Sequence, residues 1–406
     1  MNRATIETRA SWVVACAVLA MLSVSYGAPL LTMVALKPIA ADLGTAREAP
    51  ALAGSLTYIG SGFGGIMMGW IADRIGVRLV VIFGAVMIGL GLAVAASGGL
   101  AALYVGQGVL VGMLGASCMF SPLVTYVSRW FDRRRGSAIA LIASGQYMAG
   151  ALWPSLFTLG VERFGWRHTM AGFGALAAVV IVPLAVVFLR RPPETLIGTV
   201  QTGPRAGANV LGLRPNTVLA MLCAAIFCCC TTMSMPMAHL VALCSDLGIG
   251  AERGAAMLSL LLGSAFFARQ FWGWLADRVG GLATILLASA AQAAAMSGFL
   301  LTQDEVGLFT VSALFGLGFA GLAPAYVLAV RDLFPAAEAG WRVPVVMFAG
   351  LLGMANGGWL AGVIYDRFGF YAPAFATGIA FNIANLVIVG ALVFRRPLRL
   401  RPALAA

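Results

Sequence analysis

One octet recurs three times along this chain, each time where a long apolar run stops. The copies are Gly69-Trp70-Ile71-Ala72-Asp73-Arg74-Ile75-Gly76, Gly273-Trp274-Leu275-Ala276-Asp277-Arg278-Val279-Gly280 and Gly362-Val363-Ile364-Tyr365-Asp366-Arg367-Phe368-Gly369. A worn copy, Gly160-Val161-Glu162-Arg163-Phe164-Gly165, closes a fourth run. Charged motifs at matching ends of repeated apolar segments constrain the chain to an all-α membrane protein built from repeated helical units.

The composition agrees. Of 406 residues, 61% are hydrophobic and only 10% charged. No water-soluble core of this length can bury that much apolar surface, so lipid must act as the apolar solvent. The pairs Gly65-x-x-x-Gly69, Gly108-x-x-x-Gly112 and Gly358-x-x-x-Gly362 have the spacing that lets membrane helices approach closely. The net charge of +11 does not point to nucleic acid, because the arginines lie in short segments between apolar runs. They read instead as orientation signals and as contacts for membrane lipid. Cys16, Cys118, Cys223, Cys228, Cys229, Cys230 and Cys244 lie in apolar context without the paired spacing of a metal site, so no metal and no cofactor is expected. Arg3 and Arg9 precede an apolar run that continues to about Leu36, which reads as a retained first helix rather than a cleaved leader.

Hydropathy predicts twelve spans, at 11–36, 49–71, 79–97, 101–127, 137–160, 168–189, 216–243, 254–275, 282–301, 306–330, 343–364 and 371–394, each near the ~20 residues that cross hydrocarbon. The longest polar stretch, 190–215, carries Arg190, Arg191, Pro192, Pro193, Glu194 and Pro204 and reads as a cytoplasmic linker between two six-helix halves, 1–189 and 216–406. With the N-terminus inside, the inner segments hold the runs Arg74/Arg78, Arg129/Arg133/Arg134/Arg135, Arg190/Arg191 and Arg395/Arg396/Arg399/Arg401. The outer segments hold Lys37, Arg47, Arg163, Arg167, Arg253 and Arg367. That asymmetry puts both termini in the cytoplasm. Spans 2, 5, 8 and 11 then end alternately inside and outside, so neighbouring three-span units are inverted. Such an arrangement favours a site near the bilayer midplane between the halves.

At this point the residues resemble a known family. Gly69-x-x-x-Asp73-Arg74-x-Gly76-x-Arg78 is similar to the signature loop of the major facilitator superfamily, and the repeat and linker extend the resemblance over essentially the whole chain. The loop Ser128-Arg129-Trp130-Phe131-Asp132-Arg133-Arg134-Arg135-Gly136, with Gly165-Trp166-Arg167, resembles the monocarboxylate porter group. Phe267-Ala268-Arg269, followed by Gly273, resembles the segment whose arginine holds a substrate carboxylate in that group and in the related oxalate:formate exchangers. Two departures stand out. Ala265 occupies the place of an aspartate found in animal members, and span 11 has Asn356 but no lysine of the exchanger kind. The drug-antiporter pattern of span 5 is only faintly echoed by Gly150-Ala151-Leu152-Trp153-Pro154.

Arg269 is the sharpest candidate. A guanidinium inside a span is costly unless it faces a wet cavity, and its planar fork matches a carboxylate. No Asp or Glu lies mid-span, so an anionic substrate would complete the pair. His239, after Pro236 in span 7, is the proton-coupling candidate, because imidazole titrates near neutral pH. Lys37, the one lysine, ends span 1 and is a vestibule candidate. Gln146, Tyr147, Tyr326 and Asn356 are mid-span polar groups, either substrate ligands or interhelical hydrogen bonds. Phe120 stands where similar porters often place a tyrosine, giving apolar surface for a hydrocarbon portion of the substrate. Gly69, Asp73, Arg74, Gly76, Arg78, Asp277 and Arg278 form the gating motif, in which Asp73 can pair with an arginine or a helix N-terminus across the half-interface.

The sequence therefore predicts a monomeric secondary transporter in a bacterial inner membrane. It would carry a small organic anion, above all a monocarboxylate, by rocking of the halves with proton symport or anion exchange. The alternative is an exporter of amphipathic drugs or metabolites by proton antiport. No Gly-x-x-x-x-Gly-Lys-Ser/Thr loop is present to use ATP, and no paired catalytic set lies at span depth to make an intramembrane enzyme. No large extramembrane domain marks a receptor.

Overall fold

The four repeat copies share one backbone device. Gly76, Gly165, Gly280 and Gly369 all take positive φ, at 93°, 76°, 84° and 81°. A left-handed residue strains any side chain with a Cβ, so glycine ends each of these helices and turns the chain into the next. The computed structural model describes residues 7–131, 134–190 and 210–395.

The described chain is helical apart from short connections and an isolated bridge between Val210 and Leu213. Its twelve spans are α1 Arg9–Val34, α2 Glu48–Ile75, α3 Val77–Ser97, α4 Leu100–Ser128, α5 and α6 (137–164 and 166–188, one apolar run broken at Gly165), α7 Pro215–Asp246, α8 Ala251–Val279, α9 Gly281–Leu301, α10 Glu305–Leu333, α11 Ala336–Phe368 and α12 Ala372–Phe394. They form two six-helix halves with matching packing. In the first half α2 lies on α4 and α3 on α6; in the second α8 lies on α10 and α9 on α12. Across the halves, α2 packs on α11 and α5 on α8. Arg133 and residues 191–209, most of the expected linker, lie outside the described residues, as do the side chains of Asp73 and Arg135.

Four spans expected to be continuous are broken. In α1 the helix stops after Ser25 and again after Val34. Pro29 and Pro38 lie four residues beyond, and each removes the N–H that would have bonded those carbonyls. In α4 a π-helical stretch, Val105–Gly115, gives way to a short 3-10 turn, Ala116–Cys118, four residues before Pro122. Glycines let this segment press on its neighbours: a Cβ on Gly112 would lie 2.6 Å from the Thr57 carbonyl of α2. The third span, α5, breaks at Ser144, which bears on the site below, and in α10 the helix stops after Phe319 and resumes at Leu322, with Pro324 four residues beyond Ala320.

Two of the three small-residue pairs make close contacts. Gly108 and Gly112 pack on Leu56 and Thr57, and Gly358 and Gly362 pack on Ser234 and Glu48. Gly65 and Gly69 have nothing within 4 Å of a Cβ position, so that pair does not bring backbones together here.

Candidate functional site

Arg269 sits on α8 facing α5, half-buried. Its Nη1 donates to the Ala143 carbonyl at 2.9 Å, and its guanidinium carbon lies 4.9 Å from the ring centre of Tyr147. The break in α5 makes this possible. Tyr147 N bonds Ser144 O at 3.0 Å instead of Ala143 O, which leaves the Ala143 carbonyl without its helical donor. No carboxylate pairs with Arg269 among the described residues. The rest of the guanidinium fork has no protein acceptor there.

Phenols gather around this cation. Tyr147 is buried and meets Phe319 edge-on, with ring centres 6.2 Å apart. Tyr26 stands at the first break of α1, close enough to Arg269, Tyr58 and Tyr147 to feel them electrostatically. The hydroxyls of Tyr26, Tyr58 and Tyr147 make no hydrogen bond among the described residues. Tyr26 and Tyr58 were not among the residues expected from sequence. The available signal was Pro29, which breaks α1 beside Tyr26, and the lone phenol in the small-residue stretch of α2.

The other expected site residues are dispersed. Gln146 is half-buried beside Tyr147 in the chain. Asn356 donates to Thr231 Oγ1 at 3.4 Å, joining α11 to α7. Phe120 opens the last segment of α4 and is 42% exposed. No hydrogen bond or ring contact joins these to Arg269 among the described residues. Tyr326 does not join the group either. It is fully buried, and its hydroxyl donates to Asn385 Oδ1 at 2.7 Å, while Asn385 Nδ2 reaches Ser289 Oγ at 2.7 Å. That phenol is spent on a polar seam between α9, α10 and α12.

The end of the bundle that carries Lys37 is tied shut by charge. Asp246, at the end of α7, accepts from Lys37 Nζ at 2.9 Å and from Arg47 at 2.5 and 2.7 Å. Lys37 also reaches Ser245 Oγ at 2.7 Å. The Arg47 guanidinium lies 3.8 Å over the Tyr365 ring and donates to Tyr371 Oη at 2.9 Å. Asp366 accepts from the backbone N–H of Arg47 and Glu48. His239 continues the chain inward, fully buried. Its Nε2 lies 2.8 Å from the Gly358 carbonyl and its Nδ1 3.0 Å from Tyr371 Oη. A carbonyl only accepts, so Nε2 carries the hydrogen and Nδ1 accepts from Tyr371. Each link from Lys37 or Arg47 to Asp246, Tyr371 or Asp366 joins the first half to the second.

At the opposite end the motif residues stand apart. Gly69 lies within the last two turns of α2 and Gly76 makes the turn after it, Arg74 stacks 3.6 Å over Trp70, and Arg78 is exposed. Arg278 repeats that stacking on Trp274 at 3.9 Å. Asp277 is exposed and in no ion pair among the described residues. The Asp73 side chain lies outside the described residues. Contacts between α2 and α11 run from Glu48/Gly362 through Ser55/Ala355 to Phe63/Phe348.

Comparison with known proteins places these features. The sequence profile of the Major Facilitator Superfamily matches residues 13–304 and 220–405. Monocarboxylate transporter 13 of Bos taurus is 26% identical over 80% of this chain and 75% of its own length. Monocarboxylate transporter 11 of Homo sapiens is 26% identical over 92% of this chain and 74% of its own. The MFS-type transporter YcxA of Bacillus subtilis is 24% identical over 82% of this chain and 83% of its own. Among solved structures, a peptide transporter (POT) superposes with a TM-score of 0.75 at 14% identity, covering 95% of each chain. A bacterial homologue of the human lysosomal transporter Spinster gives 0.69 at 15%, covering 96% of this chain and 97% of that one.

Proposed function

Because the chain belongs to the Major Facilitator Superfamily, and is thus a membrane transporter and not an enzyme, we propose that it carries small monocarboxylates between its two halves, with Arg269 as the carboxylate ligand. The observation that carries this reading is the half-buried guanidinium with a neutral carbonyl as its one polar partner among the described residues and two uncommitted phenols, Tyr147 and Tyr26, beside it. A carboxylate can take two parallel N–H bonds from the fork and one or more O–H bonds from tyrosines. Its charge offsets that of the arginine, whereas a neutral guest leaves a cation uncompensated inside the membrane. Tyr147 and Phe319 offer aromatic surface for the hydrocarbon part. Two relatives carry the name monocarboxylate transporter, which favours the same class.

In this reading 1–189 and 216–406 rock as units about the site, joined by the linker 190–215, and one chain suffices. Positive residues concentrate on the side of both termini, so we place that side in the cytoplasm of a bacterial inner membrane. The Lys37 end then faces outward and is closed in this conformation. Coupling is by proton symport or by anion exchange. His239 supplies the symport route: a proton on Nδ1 turns that atom from acceptor to donor and sets a second cation near Arg47, with Asp366 the nearby carboxylate. The tie through Tyr371 then weakens.

The test is uptake of labelled lactate, pyruvate and acetate into proteoliposomes. The wild type should accumulate at least one of them, and Arg269→Ala should abolish uptake while the protein stays folded in the membrane. Wild-type uptake by that variant overturns the site. No carboxylate uptake, together with drug resistance conferred on a sensitive host, favours the exporter instead.

A further inference from the structure

A small cavity lies between the two halves, lined in part by Tyr58 and not by Arg269. It is bounded by α1 and α2 from the first half and α7 and α11 from the second, with ≈ 10 Å³ open to the centre of a water-sized sphere. That is room for about one water molecule. Thr32 and Ser234 line it from opposite halves. They are 2% and 1% exposed, and neither hydroxyl has a hydrogen-bond partner among the described residues. This is unusual for serine and threonine in helices, which ordinarily bond the carbonyl one turn back. Ser55, also on the wall, does so with Ala51 at 3.1 Å and reaches Ala355 at 2.6 Å, leaving its oxygen free to accept. Gly358 keeps the space open: a Cβ there would stand 3.2 Å from Ser234 Oγ and 3.6 Å from Ser55 Oγ.

We infer that this cavity binds one ordered water, which joins Thr32 of the first half to Ser234 of the second and belongs to the closed Lys37 end. Two buried hydroxyls without partners each cost free energy comparable to a lost hydrogen bond. A water satisfies both, since it accepts one proton and donates another, and it has Ser55 Oγ as a third partner. A monovalent cation of similar size fits less well, because no carboxylate lines the walls and its charge would be uncompensated. The water bridges helices that must part when this end opens, so it is bound in one conformation and released in the other.

Radiolytic footprinting reads such a site directly, because hydroxyl radicals form at a bound water and oxidise the side chains beside it. Met33 and Met354 line the cavity and are each 5% exposed, so bulk radicals reach them poorly. Met21, fully buried and outside the cavity, is the control. In the wild-type protein Met33 and Met354 should label several-fold more than Met21. Thr32→Val combined with Ser234→Ala should remove that excess. Labelling of both at the Met21 level in the wild type overturns the proposal, and this arm does not depend on the variants folding. A rise in melting temperature when sodium chloride replaces choline chloride, absent from the double variant, also overturns it by assigning the cavity to a cation.

Discussion

Asp366 caps the helix that begins at Glu48: its Oδ2 accepts from Glu48 N at 2.7 Å, and its Oδ1 from Arg47 N at 3.0 Å. The two residues belong to different halves, so a helix N-terminus in one is neutralised by a carboxylate from the other. Sequence reasoning assigned this role to the first copy of the octet, through Asp73. The structure shows such a pairing in the third copy, at the opposite end, while the Asp73 side chain lies outside the described residues. Asp366→Ala should cost about 1 kcal/mol, the usual worth of a lost N-cap. Thermal unfolding in detergent measures it, and Asp366→Asn, which keeps one acceptor oxygen, should lose less. Amide hydrogen exchange over residues 44–50 should rise in step.

The phenols divide into two kinds. Tyr26→Phe removes an uncommitted hydroxyl near Arg269, so it should raise KM for the carboxylate roughly tenfold, equivalent to one lost hydrogen bond to a charged group. Melting temperature should barely move. Tyr326→Phe should do the reverse, because it strands the buried Asn385 oxygen and costs about 1–3 kcal/mol of stability. Its KM should stay at the wild-type value. Uptake kinetics beside thermal unfolding separate the two classes.

Arg269→Lys keeps the charge but loses the fork. A point-like ammonium cannot hold the Ala143 carbonyl and a bidentate carboxylate together. Uptake should fall at least tenfold, with KM carrying most of the loss, on the scale of ~1.4 kcal/mol. A variant with unchanged KM would show that charge alone attracts the substrate.

His239→Gln retains a donor for the Gly358 carbonyl and cannot gain charge near neutral pH. If symport runs through this ring, uptake by the variant should lose the rise that the wild type shows as external pH falls. An identical pH profile in the two proteins would assign coupling to anion exchange. Proteoliposomes with a fixed interior pH and a stepped exterior pH make the comparison.

The span pattern was legible because apolar runs of membrane length have no other use, and the octets marked where they stop. Arg269 was legible for a similar reason, since charge inside hydrocarbon is conspicuous. The breaks in α1, α4, α5 and α10 were not. Pro29, Pro38, Pro122 and Pro324 interrupt their helices, but Pro154, Pro183, Pro236 and Pro344 lie inside continuous ones, and only packing decides between these outcomes. The same limit hid Tyr26 and left Tyr326 open between substrate ligand and interhelical bond. A tyrosine at mid-span looks alike in sequence whether its hydroxyl is free or bound to Asn385. Lys37 was read as a vestibule candidate; in this conformation Asp246 holds it.

The carbonyl released at the Ser144 break bears on how the carrier resets after unloading. Because Ala143 meets the guanidinium with a neutral dipole, the unloaded arginine keeps part of its solvation and is not left wholly bare. In the symport reading an unoccupied carrier then crosses back without a return passenger. The expected signature is net efflux from preloaded vesicles into buffer free of any anion on the far side that the carrier accepts.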